Sequence, residues 1–492
     1  MAFDFGSIHE VASGRAWDSA RLRSEIAIRV ARNRGAGVER GDRVMLLAGN
    51  TLEFFAELLA AWMSGAAAIP VDAGLTSFEL DHIAAAAEPR LIVATAKGNT
   101  PGKPGAPVIA TNDTVRATVD HGADPHFRLD DDALILFTSG STGQPKGVVH
   151  THRSLWAQRH TLRRVLGTEP YGRTLCLLPV YFGHGLICNC LFPLLSGCDL
   201  YLGPAFSPEV ATQLGRWIDQ YGITAMSSVP TLWRLALAMA RPPRGQSLLR
   251  LHCGSAPLGC DLWRRISQWA PGAQVVNTYG ITETASWVAG SLGAGEPQDG
   301  LIGHGWGAEI RVGRQIDGCP SAADCCAVGE TGYVWIQTAA LMKGYWRRDD
   351  LTDALVRGGW FFSGDMGVRD VDGRLILSGR AVDEINKGGL KVQPQDVENA
   401  AEGYEHIRDV CAFAVADEFY GQKIGLAFVM SDARPEALAG LRHWMEARLS
   451  RHKMPSLWYR VEALPRTARG KIQRRAVAEM CAGLRPVDLR GE

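Results

Sequence analysis

Ten residues between two apolar runs constrain this chain more than any other segment does. The ten, TSGSTGQPKG, occupy positions 138–147, between apolar residues at 133–137 and 148–149. One interpretation is a flexible surface connection, because Gly, Ser and Thr are common in loops. The other is a buried strand followed by a phosphate-binding loop, in which glycines let backbone N–H groups approach an anion and Lys146 adds positive charge. A proline precedes this lysine and a glycine follows it, which excludes the P-loop of ordinary nucleotide hydrolases.

Length and charge limit the class of protein. The 492 residues exceed what one compact core holds, and 46% apolar with 21% charged residues is typical of a soluble globular chain. Lys plus Arg and Asp plus Glu both number 52, so no electrostatic feature favours a nucleic acid, and a small molecule is the predicted partner.

The same composition bears on the compartment. No basic segment followed by an apolar core opens the chain, and Glu57, Gly65 and Pro70 interrupt its most apolar window, residues 54–71. We therefore expect no secretory signal and no membrane span, but a buried helix followed by a strand. The eleven cysteines contain no Cys-x-x-Cys pair, so reduced thiols in the cytoplasm are expected.

The order of apolar runs predicts the fold class. Runs typical of strands alternate with helical patterns through three quarters of the chain, at residues 44–47, 52–64 (helical), 91–94, 175–178 and 275–276. Past residue 330, the runs 332–337 and 374–377 lie between turn residues, which indicates antiparallel pairing. We predict an α/β fold: a large N-terminal domain, residues 1–380, of layered α/β subdomains plus a β-rich subdomain, then a small mobile α+β C-terminal domain, residues 381–492.

Two further stretches carry groups suited to a nucleotide. In NTYGITET, residues 277–284, Tyr279 can stack on a purine, Thr282 can bond a phosphate and Glu283 can hold Mg²⁺. A strand end with a helix cap is the alternative interpretation. In WFFSGDMG, residues 360–367, a glycine-flanked turn would present Asp365, whose carboxylate can accept hydrogen bonds from a ribose diol, unless it only stabilises the turn.

Two basic features complete the pattern. Arg380 lies fifteen residues after Asp365, within reach of the same sugar or a phosphate. The segment PRTARGKIQRR, residues 465–475, places Lys471 beside Gly470. A basic patch for nucleic acid is one interpretation; a loop that carries the lysine into an active site is the other, and it suits a neutral protein better.

Together these stretches resemble the adenylate-forming superfamily of acyl-CoA synthetases, nonribosomal adenylation domains and firefly luciferase, and the chain is most like a stand-alone acyl- or aryl-CoA ligase. The likeness runs from residues 41–44 and 66–71 through the motifs above and LMKGYW, residues 341–346. It implies an enzyme that uses ATP and Mg²⁺ to convert a small carboxylic acid into acyl-AMP and pyrophosphate. The acyl group then passes to the thiol of coenzyme A or, alternatively, to the phosphopantetheine of a carrier protein acting in trans. A nucleotide binder that has lost the chemistry is a further alternative.

The resemblance also implies a role for each site residue. The β- and γ-phosphates would be held by Thr138, Ser139, Gly140, Ser141, Thr142, Gly143 and Lys146. Thr282 would contact the α-phosphate and Glu283 the Mg²⁺, with Lys471 as the catalytic lysine of adenylation. Adenine would lie between Tyr279 and the segment Gly254, Ser255 and Ala256, and Asp365 with Arg380 would fix the ribose. Gly388 and Gly389 would line the tunnel of the thiol. One departure from the family pattern is Val382 at the usual hinge position.

The residues expected to line the acid pocket limit the class of carboxylic acid that the enzyme can activate. Adenylation domains for α-amino acids usually hold the ammonium with an Asp shortly after the residue aligned with Phe182, but residues 182–190 contain no carboxylate. Because an unpaired buried ammonium is costly, we expect an aryl, short or medium acyl acid instead. Candidate pocket residues, each of which could equally serve packing, are Phe182, His184, Gly185, Ser228, Gly280 and Ile281.

Overall fold

The computed structural model describes residues 4–95, 98–102, 105–113, 127–138, 145–316, 319–380, 384–431, 434–466 and 472–489. In chain order the strands are β1 (Ile8–Glu10), β2 (Ala16–Trp17), β3 (Arg43–Leu47), β4 (Ala67–Pro70), β5 (Leu91–Ala94), β6 (Val108–Ala110), β7 (Asp132–Thr138), β8 (Lys146–Thr151), β9 (Arg173–Cys176), β10 (Asp199–Leu202), β11 (Ala225–Ser228), β12 (Arg250–Gly254), β13 (Gln274–Ile281), β14 (Ser286–Gly290), β15 (Leu301–Gly305), β16 (Ala308–Ile316), β17 (Cys319–Cys325), β18 (Gly332–Thr338), β19 (Gly344–Tyr345), β20 (Val356–Arg357), β21 (Trp360–Arg369), β22 (Leu375–Arg380), β23 (Ile385–Lys387), β24 (Leu390–Val392), β25 (Ile407–Asp417), β26 (Gly421–Met430) and β27 (Leu457–Arg460).

The helices, numbered in the same way, are α1 (Ser19–Gly35), α2 (Leu52–Met63), α3 (Ser77–Ala87), α4 (His152–Leu166), α5 (Phe192–Leu194), α6 (Pro208–Tyr221), α7 (Pro230–Met239), α8 (Cys260–Trp269), α9 (Asp349–Leu355), α10 (Pro394–Glu402), α11 (Pro435–Glu446) and α12 (Arg474–Ala482). A π-helical segment spans His184–Leu191, and single 3₁₀ turns span Glu169–Tyr171 and Thr282–Thr284. None of the helices in the described ranges has the length and apolar character needed to cross a membrane.

Two large sheets form the N-terminal part, as the alternating pattern predicts. The seven-stranded sheet has the order β19-β8-β7-β4-β3-β5-β6, with parallel pairing from β7 to β6. The second sheet begins with parallel strands β9 to β13 and continues from β14 through β22 in antiparallel pairs. Strands β3 and β5 are mostly apolar and buried, as is typical of parallel strands covered on both faces, whereas β12 also carries Arg250 and His252. The α/β fold with a β-rich subdomain is therefore confirmed.

A small five-stranded sheet, with β24-β23-β26-β25 in line and β27 beside β26, forms the C-terminal part together with α10, α11 and α12. It has its own core around Phe428, Leu441 and Trp458. Strand β22 still belongs to the large sheet and β23 already belongs to the small one. Residues 381–383, which include Val382, lie outside the described ranges, so the boundary after residue 380 stays a prediction.

Helix α2 shows why a charged residue interrupts its apolar sequence. Glu57 is fully buried there, and its Oε1 accepts hydrogen bonds from Arg29 Nε and Arg32 Nη1, each at 2.9 Å. These pairings satisfy a carboxylate that would otherwise be costly to bury. The predicted buried helix followed by a strand is thus α2 followed by β4.

Two local predictions are wrong. Asp365 does not lie in a turn but inside strand β21, where Gly364, at φ +73°, lies in a bulge of the pairing with β18. The motif of residues 277–284 does not follow a strand either, because β13 runs through it to Ile281. In both places, glycines that resemble turn signals permit close strand pairing.

Candidate active site

The two ends of the predicted phosphate loop meet at one edge of the seven-stranded sheet. Strand β7 ends at Thr138 and β8 begins at Lys146, and these residues are paired in the antiparallel register. The Thr138 hydroxyl lies 3.5 Å from the Lys146 carbonyl oxygen, to which it donates. The loop residues Ser139, Gly140, Ser141, Thr142 and Gly143 lie outside the described ranges. What the structure places is therefore the strand–loop–strand frame from which the predicted loop would reach a phosphate.

The side chain of Lys146 is partly shielded from water. Burial lowers the pKa of its ammonium, while Glu283 opposes that shift. Its Nζ lies 5.9 Å from the centre of the Tyr345 ring, which provides a cation–π contact. A lysine desolvated in this way gains from an anionic ligand more than a fully hydrated one does.

Glu283 is fixed from two sides in the turn after β13. The Tyr345 hydroxyl donates to Glu283 Oε1 at 2.6 Å, and the Met342 N–H donates to the Glu283 carbonyl at 2.8 Å. Burial and this carboxylate together raise the pKa of Tyr345. Next to it, His150 Nε2 donates to the Thr282 carbonyl at 2.8 Å, and burial lowers the pKa of this imidazole to about 4.

The surroundings of Glu283 are suited to the Mg²⁺ ion that the family resemblance implies. Mg²⁺ is usually held in nucleotide sites by one or two carboxylates together with phosphate oxygens, and the described residues contain no cluster of three or more His, Cys, Asp or Glu that would form an all-protein site. Glu283, oriented by Tyr345, is the single carboxylate that such shared coordination needs, and the nearby Lys146 would instead pair with phosphate oxygens.

The residues predicted to hold the nucleoside also lie together. The Tyr279 hydroxyl donates to Asp365 Oδ2 at 2.6 Å, and the Asp365 N–H donates to Ser363 Oγ at 3.0 Å. The register of β21 and β22 places Arg380 directly opposite Asp365. This pairing brings the backbones of two residues fifteen positions apart next to each other, as the predicted shared contact with a ribose would require.

The segment predicted to wall the adenine follows strand β12. Gly254 packs so closely on β13 that a side chain there would collide with Thr278. Ser255 has φ +64°, a left-handed conformation unusual for a residue with a side chain, and Ala256 follows it. The backbone is thus bent at the point where the sheet ends.

A cavity of about 630 Å³ lies between the N-terminal and C-terminal parts. The predicted site residues that line it are Thr138, Lys146, Phe182, Ile281, Thr282 and Glu283. From the C-terminal part, Glu384, Lys391 and Lys453 also face it. The phosphate side of the predicted site therefore opens on a cleft that both domains form.

His184 lies at the start of the π-helical segment, in the expected acid pocket. Its Nδ1 is 2.8 Å from Ser255 Oγ and its Nε2 is 2.5 Å from Ser227 Oγ, and the edge of Trp287 packs against its ring. Burial lowers the pKa of His184 to about 3, so the imidazole is neutral near pH 7. Sequence reasoning did not identify Ser227, although it precedes Ser228, which was a candidate.

Three other residues predicted to line the acid pocket are closely packed by their neighbours. Ser228 is fully buried; its hydroxyl donates to the His252 carbonyl at 2.6 Å and accepts from Trp233 Nε1 at 2.8 Å. A side chain at Gly185 would collide with the Pro179 carbonyl, and one at Gly280 with Ser286. These glycines permit close backbone packing around the pocket, and their contact with substrate stays a prediction.

The glycine segment predicted to line the thiol tunnel contacts the N-terminal domain near Ser255. Gly388 and Gly389 have φ of +65° and +94°, and the space beside them is bounded by Thr231 and Val229 of the N-terminal domain. Asn386 Nδ2 donates to the Ser255 carbonyl at 2.8 Å, and Asn386 Oδ1 accepts from the Gly389 N–H at 2.8 Å. The glycine segment is thus docked on the N-terminal domain.

Lys471, the predicted catalytic lysine, lies outside the described ranges. On either side of it, the Gln473 N–H donates to the Pro465 carbonyl at 2.9 Å, and Arg466 Nη2 pairs with Asp409 of β25 at 2.5 Å. These contacts are within the C-terminal domain.

Comparisons with known proteins identify the family. The description "AMP-binding enzyme" matches residues 29–346, and "AMP-binding enzyme C-terminal domain" matches residues 396–471. The chain therefore belongs to the family of AMP-binding enzymes. The predicted class, an AMP-forming acid–thiol ligase that uses ATP and Mg²⁺, is confirmed by this membership.

Individual relatives cover most of the chain. It is 34% identical over 366 residues to a sulfoacetate–CoA ligase of Cupriavidus necator, covering 71% of this chain and 67% of the relative. It is 31% identical over 472 residues to a feruloyl-CoA synthase of Amycolatopsis, covering 91% of each. The structure of o-succinylbenzoate CoA synthetase from Bacillus subtilis superposes with a TM-score of 0.86 at 21% identity, covering 97% of this chain and 96% of that one, and shows the same fold.

Proposed function

We propose that the protein activates a carboxylic acid other than an α-amino acid as acyl-AMP, with release of pyrophosphate, and transfers the acyl group to the thiol of free coenzyme A. The observation that carries this proposal is the docking of the Gly388–Gly389 segment beside Ser255. Because Gly388 and Gly389 carry no side chains, this contact supports the passage of a thiol between the domains toward Ser255 and the predicted acid pocket.

In the first half-reaction, negative charge accumulates around the α-phosphorus, so positive charge and N–H donors must be positioned there in advance. Lys146 and Thr138 would support the β- and γ-phosphates, Thr282 would contact the α-phosphate, and Glu283 would hold Mg²⁺, which would neutralise phosphate charge. Tyr279, Asp365 and Arg380 hold the nucleoside. Lys471 bridges the substrate carboxylate and the α-phosphate in this half-reaction, and a swing of the C-terminal domain then removes Lys471 and leaves Gly388 and Gly389 beside the thiol.

The charge of the acid pocket supports the exclusion of α-amino acids. An ammonium there would face the neutral His184 and the hydroxyls of Ser227 and Ser255, none of which carries a negative charge. Leaving such a charge unpaired costs several kcal/mol, of the order of the effective penalty for a buried ion. An uncharged carbon next to the carboxylate suits this lining better.

We place the reaction in the cytoplasm, where ATP and coenzyme A are available. The cysteines that the structure describes are unpaired thiols, from Cys176 to Cys481, which suits a reducing compartment. A carrier protein in trans is the alternative thiol source, and the assay below tests it directly.

The test is AMP and thioester formation with a panel of aryl, short-chain, medium-chain and α-amino acids, with coenzyme A or a phosphopantetheinylated carrier protein as acceptor. We expect one class of non-amino acid to give both AMP and a coenzyme A thioester. Pyrophosphate exchange driven best by an ordinary α-amino acid, or acyl transfer only to the carrier, would contradict the proposal.

Lys471→Ala separates the half-reactions. We expect acyl-AMP formation to fall by about 10²–10³, the usual loss for one group that stabilises transition-state charge. Thioester formation from synthetic acyl-AMP should continue, because Lys471 acts only on the first step. An unchanged rate of acyl-AMP formation would exclude Lys471 from its assigned role.

A further inference from the structure

A cluster of polar side chains lies on one face of strand β12, near the predicted pocket residue His184. Gly254, His252 and Arg250 alternate along β12, so their side-chain directions share one face. Two residues of strand correspond to about 7 Å, so His252 lies roughly that far from the bend at Gly254.

The cluster is continuous with the predicted pocket. Trp287 is the register partner of Gly280, and its ring contacts His184 at 5.4 Å and His252 at 4.3 Å between ring centres. The Tyr171 hydroxyl and His252 Nε2 share a hydrogen bond of 2.6 Å. These ring contacts connect His184, a predicted pocket residue, with His252 and Tyr171.

Several polar atoms among these residues have no hydrogen-bond partner within the described part of the chain. They are Trp287 Nε1, His252 Nδ1, and Arg250 Nε and Nη1, and each of these atoms is buried. Trp287 and His252 are 2% and 1% exposed, so water reaches them poorly. Buried polar atoms are nearly always paired in proteins, and leaving one unpaired costs about 1–3 kcal/mol.

The unpaired atoms determine what kind of ligand group could bind them. An indole N–H can only donate, and the guanidinium of Arg250 donates and carries a full positive charge. If Tyr171 donates to Nε2, the His252 Nδ1 also carries a proton and donates. An oxygen acceptor with negative charge satisfies all of them, whereas a methyl end satisfies none.

We propose that this cluster is a subsite for a second anionic group, a carboxylate or sulfonate, at the far end of a short acid substrate. The inference rests on the proposed ligase function and names its substrate class. Trp287 and His252 donate to the distal oxygens, and Arg250 supplies the counter-charge. Specificity then comes from buried donors that only an anionic tail satisfies, a device that rejects analogues lacking the group more strongly than an apolar pocket can.

The test compares acids that differ only at the far end: propanoate with malonate, butanoate with succinate, and pentanoate with glutarate, with 3-sulfopropanoate as the sulfonate. We expect kcat/KM for AMP formation to favour the anionic member by roughly tenfold or more at one chain length. This comparison uses the wild-type protein and needs no variant. A methyl-ended acid that is equal or better at every length would overturn the subsite.

Trp287→Phe removes the indole N–H and keeps an aromatic ring. We expect kcat/KM for the anionic acid to fall more than kcat/KM for its methyl-ended partner, so that the ratio of the two decreases. Trp335→Phe is the matched control, since Trp335 is as buried, and its N–H also has no hydrogen-bond partner in the described ranges, but it lies on β18 in the β-rich subdomain. An equal loss for both acids in Trp287→Phe would mean that the ring only packs.

The ligase function and the subsite fail in different ways. If no acid of either kind yields AMP, the proposed function fails, and calorimetric titration of the same acid pairs into the AMP-saturated protein then decides the subsite. Tighter binding of the diacid that Trp287→Phe weakens supports the subsite, and equal affinities in wild-type protein overturn it.

Discussion

At the scale of single residues, Tyr345 connects the two charged groups of the phosphate site. Its hydroxyl donates to Glu283, and its ring lies under the ammonium of Lys146. Tyr345→Phe keeps the ring and removes the hydrogen bond that orients the carboxylate. We expect the Mg²⁺ concentration needed for half-maximal pyrophosphate release to rise roughly 10-fold, the lower end of what losing a partner of a metal ligand costs.

The control for this prediction is Tyr333→Phe, which removes a phenol hydroxyl on β18 and leaves the ring next to Phe362. Titration of Mg²⁺ at saturating ATP should give the wild-type curve for this control. If Tyr345→Phe gives the same curve as well, Tyr345 does not orient a metal ligand.

Contacts between residues far apart in the chain could not be predicted from the sequence, whereas groups within one motif could. Groups carried on one contiguous motif, such as Thr282 and Glu283, could be predicted because the motif itself fixes their spacing. The hydrogen bonds of His184 could not, because Ser227 and Ser255 are 43 and 71 residues away and no local pattern relates them. The pairing of Tyr345 with Glu283, 62 residues apart, was hidden for the same reason.

At the scale of elements, Asn386 of β23 fixes the docked glycine segment in two ways. Its amide nitrogen donates to the Ser255 carbonyl, and its amide oxygen accepts from the Gly389 N–H. Asn386→Ala removes both bonds. Because these contacts belong to the arrangement with the glycines in the site, we expect thioester formation to fall roughly 10-fold, the effect of about 1.4 kcal/mol, with acyl-AMP formation nearly unchanged.

Asn386→Asp divides the two contacts. The carboxylate can still accept from the Gly389 N–H but cannot donate to Ser255, whose carbonyl oxygen it would repel. If the bond to Ser255 secures the docked segment, the Asp variant transfers the acyl group as slowly as the Ala variant does. Recovery of the wild-type rate in single-turnover transfer from acyl-AMP would assign the role to the turn at Gly389 alone.

Most strands could be predicted from the sequence, and the prediction failed where a glycine was interpreted as a turn signal. Apolar runs identified β3, β5 and β7, since strands buried on both faces must be apolar throughout. Gly364 was interpreted as a turn signal, but its left-handed conformation serves a bulge inside β21. Whether such a glycine turns the chain or bends a strand depends on the partner strand, here β18, and that partner is a matter of tertiary structure.

At the scale of the whole molecule, an ion cluster joins the two domains in the observed arrangement. Lys453 of the C-terminal domain lies 3.1 Å from Glu79 of α3 and 3.5 Å from Asp396 of α10. Ser450 Oγ also donates to Glu79, at 3.3 Å. These carboxylates raise the pKa of Lys453 in spite of its burial, so the ammonium stays charged at neutral pH. A domain swing would separate Glu79 from Lys453.

Glu79→Gln tests this cluster without disturbing α3. Glu79 also caps that helix by accepting from the Thr76 N–H, and Gln can do the same. The variant removes only the charge that Lys453 meets across the domain boundary. We expect acyl-AMP formation to be retained and thioester formation to fall about fivefold, corresponding to about 1 kcal/mol of coupling between the domains.

Glu446→Gln is the matched control, because it removes the partner of Arg442 within α11, an exposed pair inside the C-terminal domain. Exposed pairs of this kind contribute about 0.3–0.5 kcal/mol, so both half-reactions should remain close to wild type. Raising the salt concentration should affect wild type and Glu79→Gln differently only if the cross-domain pair stabilises the observed arrangement. Equal loss of both half-reactions in Glu79→Gln would instead show that Glu79 supports the fold of α3 and not the docking of the C-terminal domain.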